Sequence, residues 1–139
     1  MTIKEIQDEI IDEFSMFEDW EERYQYVIDL GKTLPLIEEQ YKTEENIIKG
    51  CQSKVWLHGE YHDGKVIFTA DSDAILTKGI IAILIRVFSN QSPKDILDAD
   101  TSFIDEIGLK EHLSPTRANG LVSMIKQIKM YALAFSAKQ

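Results

Sequence analysis

Residues 54–71 read K-V-W-L-H-G-E-Y-H-D-G-K-V-I-F-T-A-D, and the rest of the architecture can be built outward from this stretch. Two runs rich in β-branched and aromatic residues flank Asp63-Gly64, a pair that favours a type I′ turn. The sequence therefore predicts an antiparallel hairpin of 54–62 with 65–71, with His62 opposite Lys65. In that register one face is apolar and the other mostly polar, so we expect a sheet covered on one side. The apolar face would carry Val55, Leu57, Tyr61, Val66, Phe68 and Ala70.

Two amphipathic helices precede the hairpin. Apolar residues recur at helical spacing over 3–15, with acidic residues on the opposite face. Asp19, with Glu22 three residues on, resembles a capping box that opens a second helix. We expect this helix to end at Gly31, before Pro35. A short third strand is expected around 47–48.

Three further helices follow the hairpin. Asp71-Ser72-Asp73 offers N-caps to a long apolar segment, 74–88, whose length favours a buried helix over a strand. Ser92-Pro93 opens a short helix near 94–97, and Ser114-Pro115 opens the last one. The order of elements predicts an α+β fold, a small antiparallel sheet of about three strands with helices packed on one face. We expect one domain over residues 1–139.

Composition excludes several classes of function. The net charge of −9 argues against nucleic acid or an anionic membrane as partner, and is compatible with docking onto a basic protein surface or simply with solubility. No segment is apolar enough to span a membrane and no secretory signal is visible, so a cytoplasmic location is expected. The single cysteine agrees with a reducing compartment and cannot complete a cysteine-based metal site. We expect no metal and no cofactor.

Cys51 is the candidate for chemistry. Gly50 permits a turn before it, and Lys49 and Lys54 are expected to favour its thiolate. Strand parity groups Cys51 with Val55, on the sheltered side of the hairpin. A lone cysteine is most often an inert buried residue. Its solitude also suits a persulfide carrier, since a second thiol would discharge the persulfide, or a nucleophilic hydrolase.

Other polar residues have structural as well as functional explanations. His58 and His62 lie about 13 Å apart on an extended strand, too far to share a metal, and face away from Cys51. Surface positions are expected for them and for His112. Arg117 falls in the first turn of the last helix, where a cation opposes the dipole, and by spacing continues the core stripe. Asp71 and Asp73 are expected to cap a helix rather than form a catalytic carboxylate pair.

Four blocks together resemble the SufE family of sulfur acceptors for cysteine desulfurases. The first is W-E-E-R-Y at 20–24, followed by L-G at 30–31 and L-P at 34–35. The second is N-I-I-K-G-C-Q-S-K-V-W at 46–56, of which G-C-Q-S-x-V-W is the specific part. The third is D-S-D-A at 71–74 with K-G at 78–79, and the fourth is H-L-S-P-T-R at 112–117 with G-L at 120–121. The resemblance covers nearly the whole chain.

The resemblance implies a fold shared with IscU-type scaffolds and a role in sulfur transfer. Cys51 would take sulfane sulfur from the persulfide of a PLP-dependent cysteine desulfurase, stimulate that enzyme by docking, and pass the sulfur to the SufBCD assembly. Arg117 matches an arginine beside the cysteine, and Asp71-Ser72-Asp73 matches an acidic docking loop, with Gly50 and Gln52 at the same surface. The single cysteine argues against scaffolding a cluster. The natural desulfurase and the oligomeric state, a homodimer included, stay open.

Two other function classes stay open at the level of sequence. In the first, the protein is a regulatory module whose docking matters and whose Cys51 carries nothing. In the second, it is a cysteine hydrolase or a thiol redox enzyme that needs no desulfurase.

Overall fold

The computed structural model describes residues 1–137, and the last two residues of the predicted 1–139 domain lie outside that part. Its helices are α1 Ile3–Ser15, α2 Trp20–Gly31, α3 Ile75–Phe88, α4 Pro93–Asp98, α5 Phe103–Glu106 and α6 Pro115–Ser136. Its strands are β1 Val55–His62 and β2 Lys65–Ser72, and short 3-10 turns occur at Glu39–Tyr41, Glu44–Asn46 and Lys110–His112. The predicted α+β fold is confirmed. None of the helices within 1–137 has the length and apolarity needed to cross a membrane.

The hairpin forms in the predicted register, with His62 opposite Lys65. Asp63 and Gly64 both have positive φ, 51° and 81°, as a type I′ turn requires. The predicted third strand is reduced to one bridge, where Ile47 lies opposite Trp56. The 3-10 turn at Glu44–Asn46 precedes that bridge closely and a turn at 49–50 follows it, so no length remains for a strand.

Helices cover one face of the hairpin, and the segment before β1 partly covers the other. On the inner face, β1 and β2 pack against α6 and α3. On the outer face, the Tyr41 ring stacks on His58 at 3.8 Å, and the Lys42 ammonium lies 5.3 Å from the Trp56 ring centroid. The expected helix layer on one face is therefore confirmed, and residues 36–46 in addition fold back and partly cover the polar face.

The helix boundaries follow the predicted capping residues with one exception. The side chains of Asp19, Ser92 and Ser114 accept the backbone N–H of the residue three positions on, and so cap α2, α4 and α6. α3 instead begins after Ala74 with no side-chain cap. The helix α5 was not predicted, because four residues are too few to show a helical period.

The acidic segment before α3 joins the two strand ends instead of capping the helix. The Lys54 N–H donates to the Asp73 carboxylate at 3.1 Å, and the Ser72 hydroxyl donates to the Lys54 carbonyl at 2.9 Å. β2 runs on to Ser72, one residue further than predicted, so these side chains reach across to β1. The predicted capping role of Asp71-Ser72-Asp73 was therefore wrong.

α3 is the centre of the core and packs against α2 through a glycine. Nearly all of its residues after Lys78 are buried, as expected for a helix enclosed on all sides. A Cβ on Gly79 would lie 2.7 Å from the Val27 carbonyl carbon, a distance that real Cβ atoms do not show. The absence of a side chain at Gly79 thus allows α2 and α3 to approach closely.

Gly79→Ala is expected to destabilise the protein. Replacing an unconstrained helical glycine by alanine would stabilise it by about 1 kcal/mol. Here the added methyl must push the α2 backbone away, so we expect a net loss of about 1–3 kcal/mol in the free energy of unfolding. Urea denaturation measures it, with the exposed α2 variant Gln25→Ala as a control that changes by less than about 0.5 kcal/mol. A variant more stable than the wild type would contradict the close packing.

Candidate functional site

Cys51 lies in the turn before β1, pressed against the start of α6. Gly50 has φ +92°, a left-handed conformation that favours glycine, and a Cβ there would lie 2.7 Å from the Ser123 hydroxyl oxygen. The turn carries Cys51 over Gly120, and the thiol donates a long hydrogen bond to the Gly120 carbonyl, with Sγ to O at 3.8 Å. Cys51 is half-buried and packs against the core, the sheltered side that strand parity predicted.

A small cavity lies beside the Cys51 sulfur. Its volume is about 10 Å³, and its lining residues are Cys51, Gln52, Ser53, Thr77, Ile80, Thr116, Arg117, Gly120 and Met124. A volume of this size accepts about one water-sized atom. Gly120 keeps this space open, because a Cβ there would lie 3.3 Å from the Cys51 sulfur.

Two helices point their N-terminal ends at this cavity. Thr77 is the third residue of α3, and Thr116 and Arg117 are the second and third residues of α6. Helix N-termini carry partial positive charge from the aligned peptide dipoles. The start of α3 also has no side-chain cap. The arrangement therefore favours an anion in the cavity over a cation.

Arg117 adds a full positive charge at the mouth of the cavity. Its side chain is exposed, so the expectation that it continues the core stripe of α6 was wrong. The stripe ends at Leu121, because the first turn of α6 extends past the core. Within residues 1–137 the guanidinium makes neither a hydrogen bond nor an ion pair, which leaves its donors available to a ligand.

The thiol itself is held in its neutral form. Burial raises the pKa of Cys51 above its ordinary value, because the thiolate would lose hydration. The expectation that Lys49 and Lys54 favour the thiolate was wrong. Lys49 lines a separate groove with Ser123 and Lys126, and the Lys54 side chain is exposed.

The predicted docking segment has one fixed and one exposed carboxylate. Asp71 accepts contacts from the ammonium groups of Lys42 at 2.8 Å and Lys78 at 3.4 Å. Partial burial alone would raise the pKa of Asp71, but the hydrogen bonds from Lys42 and the Ser72 N–H, with the charge of Lys78, outweigh it and lower the pKa. Asp73 is exposed, although one of its oxygens accepts the Lys54 N–H.

In the described part of the chain no histidine lines the Cys51 cavity. His58 and His62 each contact a different oxygen of Glu60, at 3.2 and 3.0 Å, on the outer face of the hairpin. His112 stacks on Trp20 at 3.8 Å, and its Nδ1 lies 3.0 Å from the Gly108 carbonyl oxygen. His62 and His112 are exposed as predicted, whereas His58 is partly covered by Tyr41. Across residues 1–137 no three His, Cys, Asp or Glu side chains are grouped to hold a metal ion.

The structure adds residues to the site that sequence reasoning did not single out. Thr77, Ile80 and Met124 line the cavity but lie far from Cys51 in sequence. Thr77 carried a usable signal, since it interrupts the apolar segment 74–88 with a hydroxyl. Ile80 and Met124 look like ordinary core residues, and only the fold brings them to the sulfur.

The comparisons with known proteins agree with these motifs. The family model SufE, described as an Fe-S metabolism associated domain, matches residues 8–132. A SufE-like protein of Rhizobium meliloti (strain 1021) is 45% identical over 130 residues, covering 90% of this chain and 93% of the relative. A second SufE-like protein, from Rhizobium etli, is 42% identical over 127 residues, covering 88% of this chain and 86% of the relative.

A solved structure shares the fold. The solution structure of a hypothetical protein from Thermus thermophilus superposes with a TM-score of 0.78 and 20% identity. It covers 93% of this chain and 94% of its own. With the family model matched over nearly the whole chain and the G-C-Q-S-K-V-W block placed at the cavity, the protein belongs to the SufE family.

Proposed function

We propose that this protein is a cytoplasmic sulfur acceptor that stimulates a PLP-dependent cysteine desulfurase and carries its sulfur to the SufBCD assembly. The observation that carries the proposal is the position of Cys51, a lone thiol beside a one-atom cavity at two helix N-termini. Membership of a family associated with iron–sulfur metabolism supports the same class of function.

The transfer step needs no redox partner. The Cys51 thiolate attacks the outer sulfur of the desulfurase persulfide, the S–S bond of that persulfide breaks, and the desulfurase cysteine leaves as a thiolate. The sulfane sulfur keeps its oxidation state and is now bonded to Cys51. Arg117 neutralises the negative charge as it moves onto the new persulfide, an interaction of about 1–3 kcal/mol for a partly desolvated pair.

Docking has to expose Cys51 before this step. In the free protein the sulfur lies against Gly120 and its pKa is raised, so the attacking thiolate is scarce. Residues Asp73 and Gln52 are exposed beside it and form, with Gly50, Asp71 and Ser72, the surface that meets the desulfurase.

A hydrolase fits the same residues less well. A cysteine hydrolase needs a general base within hydrogen-bonding reach of the thiol. Among residues 1–137 every histidine is engaged elsewhere, and no carboxylate lines the Cys51 cavity. A sulfur acceptor needs no base of its own, because the desulfurase cysteine that leaves as a thiolate takes up the proton that the Cys51 thiol loses.

Cys51→Ser separates a carrier from a regulatory module. A carrier accelerates the desulfurase by removing its persulfide, so the variant is expected to lose nearly all stimulation of alanine production from cysteine. The control is His62→Ala, which changes an exposed residue on the outer hairpin face and should stimulate as the wild type does. Full stimulation by Cys51→Ser would instead favour the module that binds and carries nothing.

The pH dependence of alkylation tests whether burial raises the pKa of the Cys51 thiol in the folded protein. Since burial raises the pKa of the folded thiol, its reaction with iodoacetamide should rise with pH to a midpoint above that of the urea-unfolded chain. At neutral pH the folded protein should therefore react more slowly than the unfolded one. Addition of the desulfurase should accelerate the reaction of the folded protein. An alkylation midpoint of the folded protein at or below that of the unfolded chain would contradict the burial of the thiol.

A further inference from the structure

Thr77 is a largely buried residue whose hydroxyl oxygen is not fully enclosed by the protein. It is 5% exposed, and it is the third residue of a helix whose buried residues are otherwise almost all apolar. Buried hydroxyls normally find a hydrogen-bond partner, and in helices the carbonyl of the preceding turn is the usual one. The Thr77 hydroxyl makes no such bond, nor one to any other group within residues 1–137. Since no fully enclosed side-chain oxygen there lacks a partner, this oxygen keeps some accessible surface, and the side chain borders the Cys51 cavity.

The cavity matches a single atom beyond the Cys51 sulfur. Its volume is about 10 Å³, and a Cβ on Gly120 would already crowd that sulfur at 3.3 Å. Ile80 and Met124 close it with apolar surface. A persulfide places one further sulfur next to Sγ, and that sulfur carries the negative charge when the persulfide ionises. The other polar side chains that border the space can all donate a hydrogen bond to an anion: Gln52, Ser53, Thr77, Thr116 and Arg117.

We propose that the Thr77 hydroxyl donates a hydrogen bond to the terminal sulfur of the Cys51 persulfide, and that the cavity holds one such sulfur and no more. This inference rests on the proposed function, in which Cys51 carries sulfane sulfur. Thr77 is then a sulfur-binding residue. Its hydrogen bond and the α3 N-terminus stabilise the persulfide anion together with Arg117.

Loading with inorganic tetrasulfide tests the site without any desulfurase. The Cys51 thiolate attacks a terminal sulfur of the tetrasulfide, one S–S bond breaks, and trisulfide leaves with the charge. Intact mass should show one added sulfur, removed by a reductant. Two or more added sulfur atoms on the folded protein would overturn the single-atom limit.

Spectroscopic titration of the loaded protein tests Thr77 itself. The near-ultraviolet absorbance of the persulfide anion reports the pH at which the persulfide ionises. Thr77→Val keeps the shape of the side chain and removes the donor, so the midpoint should rise by about one pH unit, the tenfold effect of a hydrogen bond to a charged acceptor. Thr77→Ser restores the hydroxyl and should restore the wild-type midpoint.

Thr69→Val is the matched control, since Thr69 is a partly buried threonine on the outer hairpin face. Its midpoint should equal that of the wild type. Equal ionisation midpoints for Thr77→Val and the wild type would overturn the proposal, whether or not the variant melts at a lower temperature. A wild type that takes sulfur from tetrasulfide but not from a desulfurase would count against the proposed function and leave the sulfur-binding role of Thr77 standing.

Discussion

The contact between the Gly50-Cys51 turn and the start of α6 determines where the Cys51 sulfur lies. Gly50 can take the left-handed turn that sets the loop against Ser123, and Gly120 leaves room for the sulfur above α6. α6 is held in turn by the hairpin and by α3, whose own position depends on the close approach at Gly79. Three glycines in different elements thus combine to place one thiol.

Burial and the nearby positive charges have opposite effects on the ionisation of the sulfur at this position. Removal of water raises the pKa of Cys51 and keeps the thiol neutral and slow to react. The N-terminal ends of α3 and α6, together with Arg117, favour an anion in the same place. Because a persulfide is a stronger acid than a thiol, we infer that the site leaves the free thiol unreactive and stabilises the loaded form. Under the proposed function, docking of the desulfurase opens the loop so that the persulfide of that enzyme reaches Cys51.

The hairpin and the main helices could be predicted because their signals are local. Asp63-Gly64, the apolar periods and the serine caps each act within a few residues of the structure that they specify. The predictions failed where distant segments meet: Asp73 reaches back to Lys54 instead of capping α3, and the first turn of α6 carries Arg117 past the core. Cys51 and the motif around it were visible in the sequence. The cavity that gives Thr77 a role exists only once α3 and α6 converge.

Intact mass after incubation with a cysteine desulfurase, PLP and cysteine is the decisive measurement for sulfur carriage by Cys51. We expect a gain of one sulfur atom that a reductant removes, located on Cys51 by peptide mapping. No gain is expected when the desulfurase is left out. A wild-type protein that stimulates the desulfurase yet never acquires sulfur on Cys51 would contradict the carrier role.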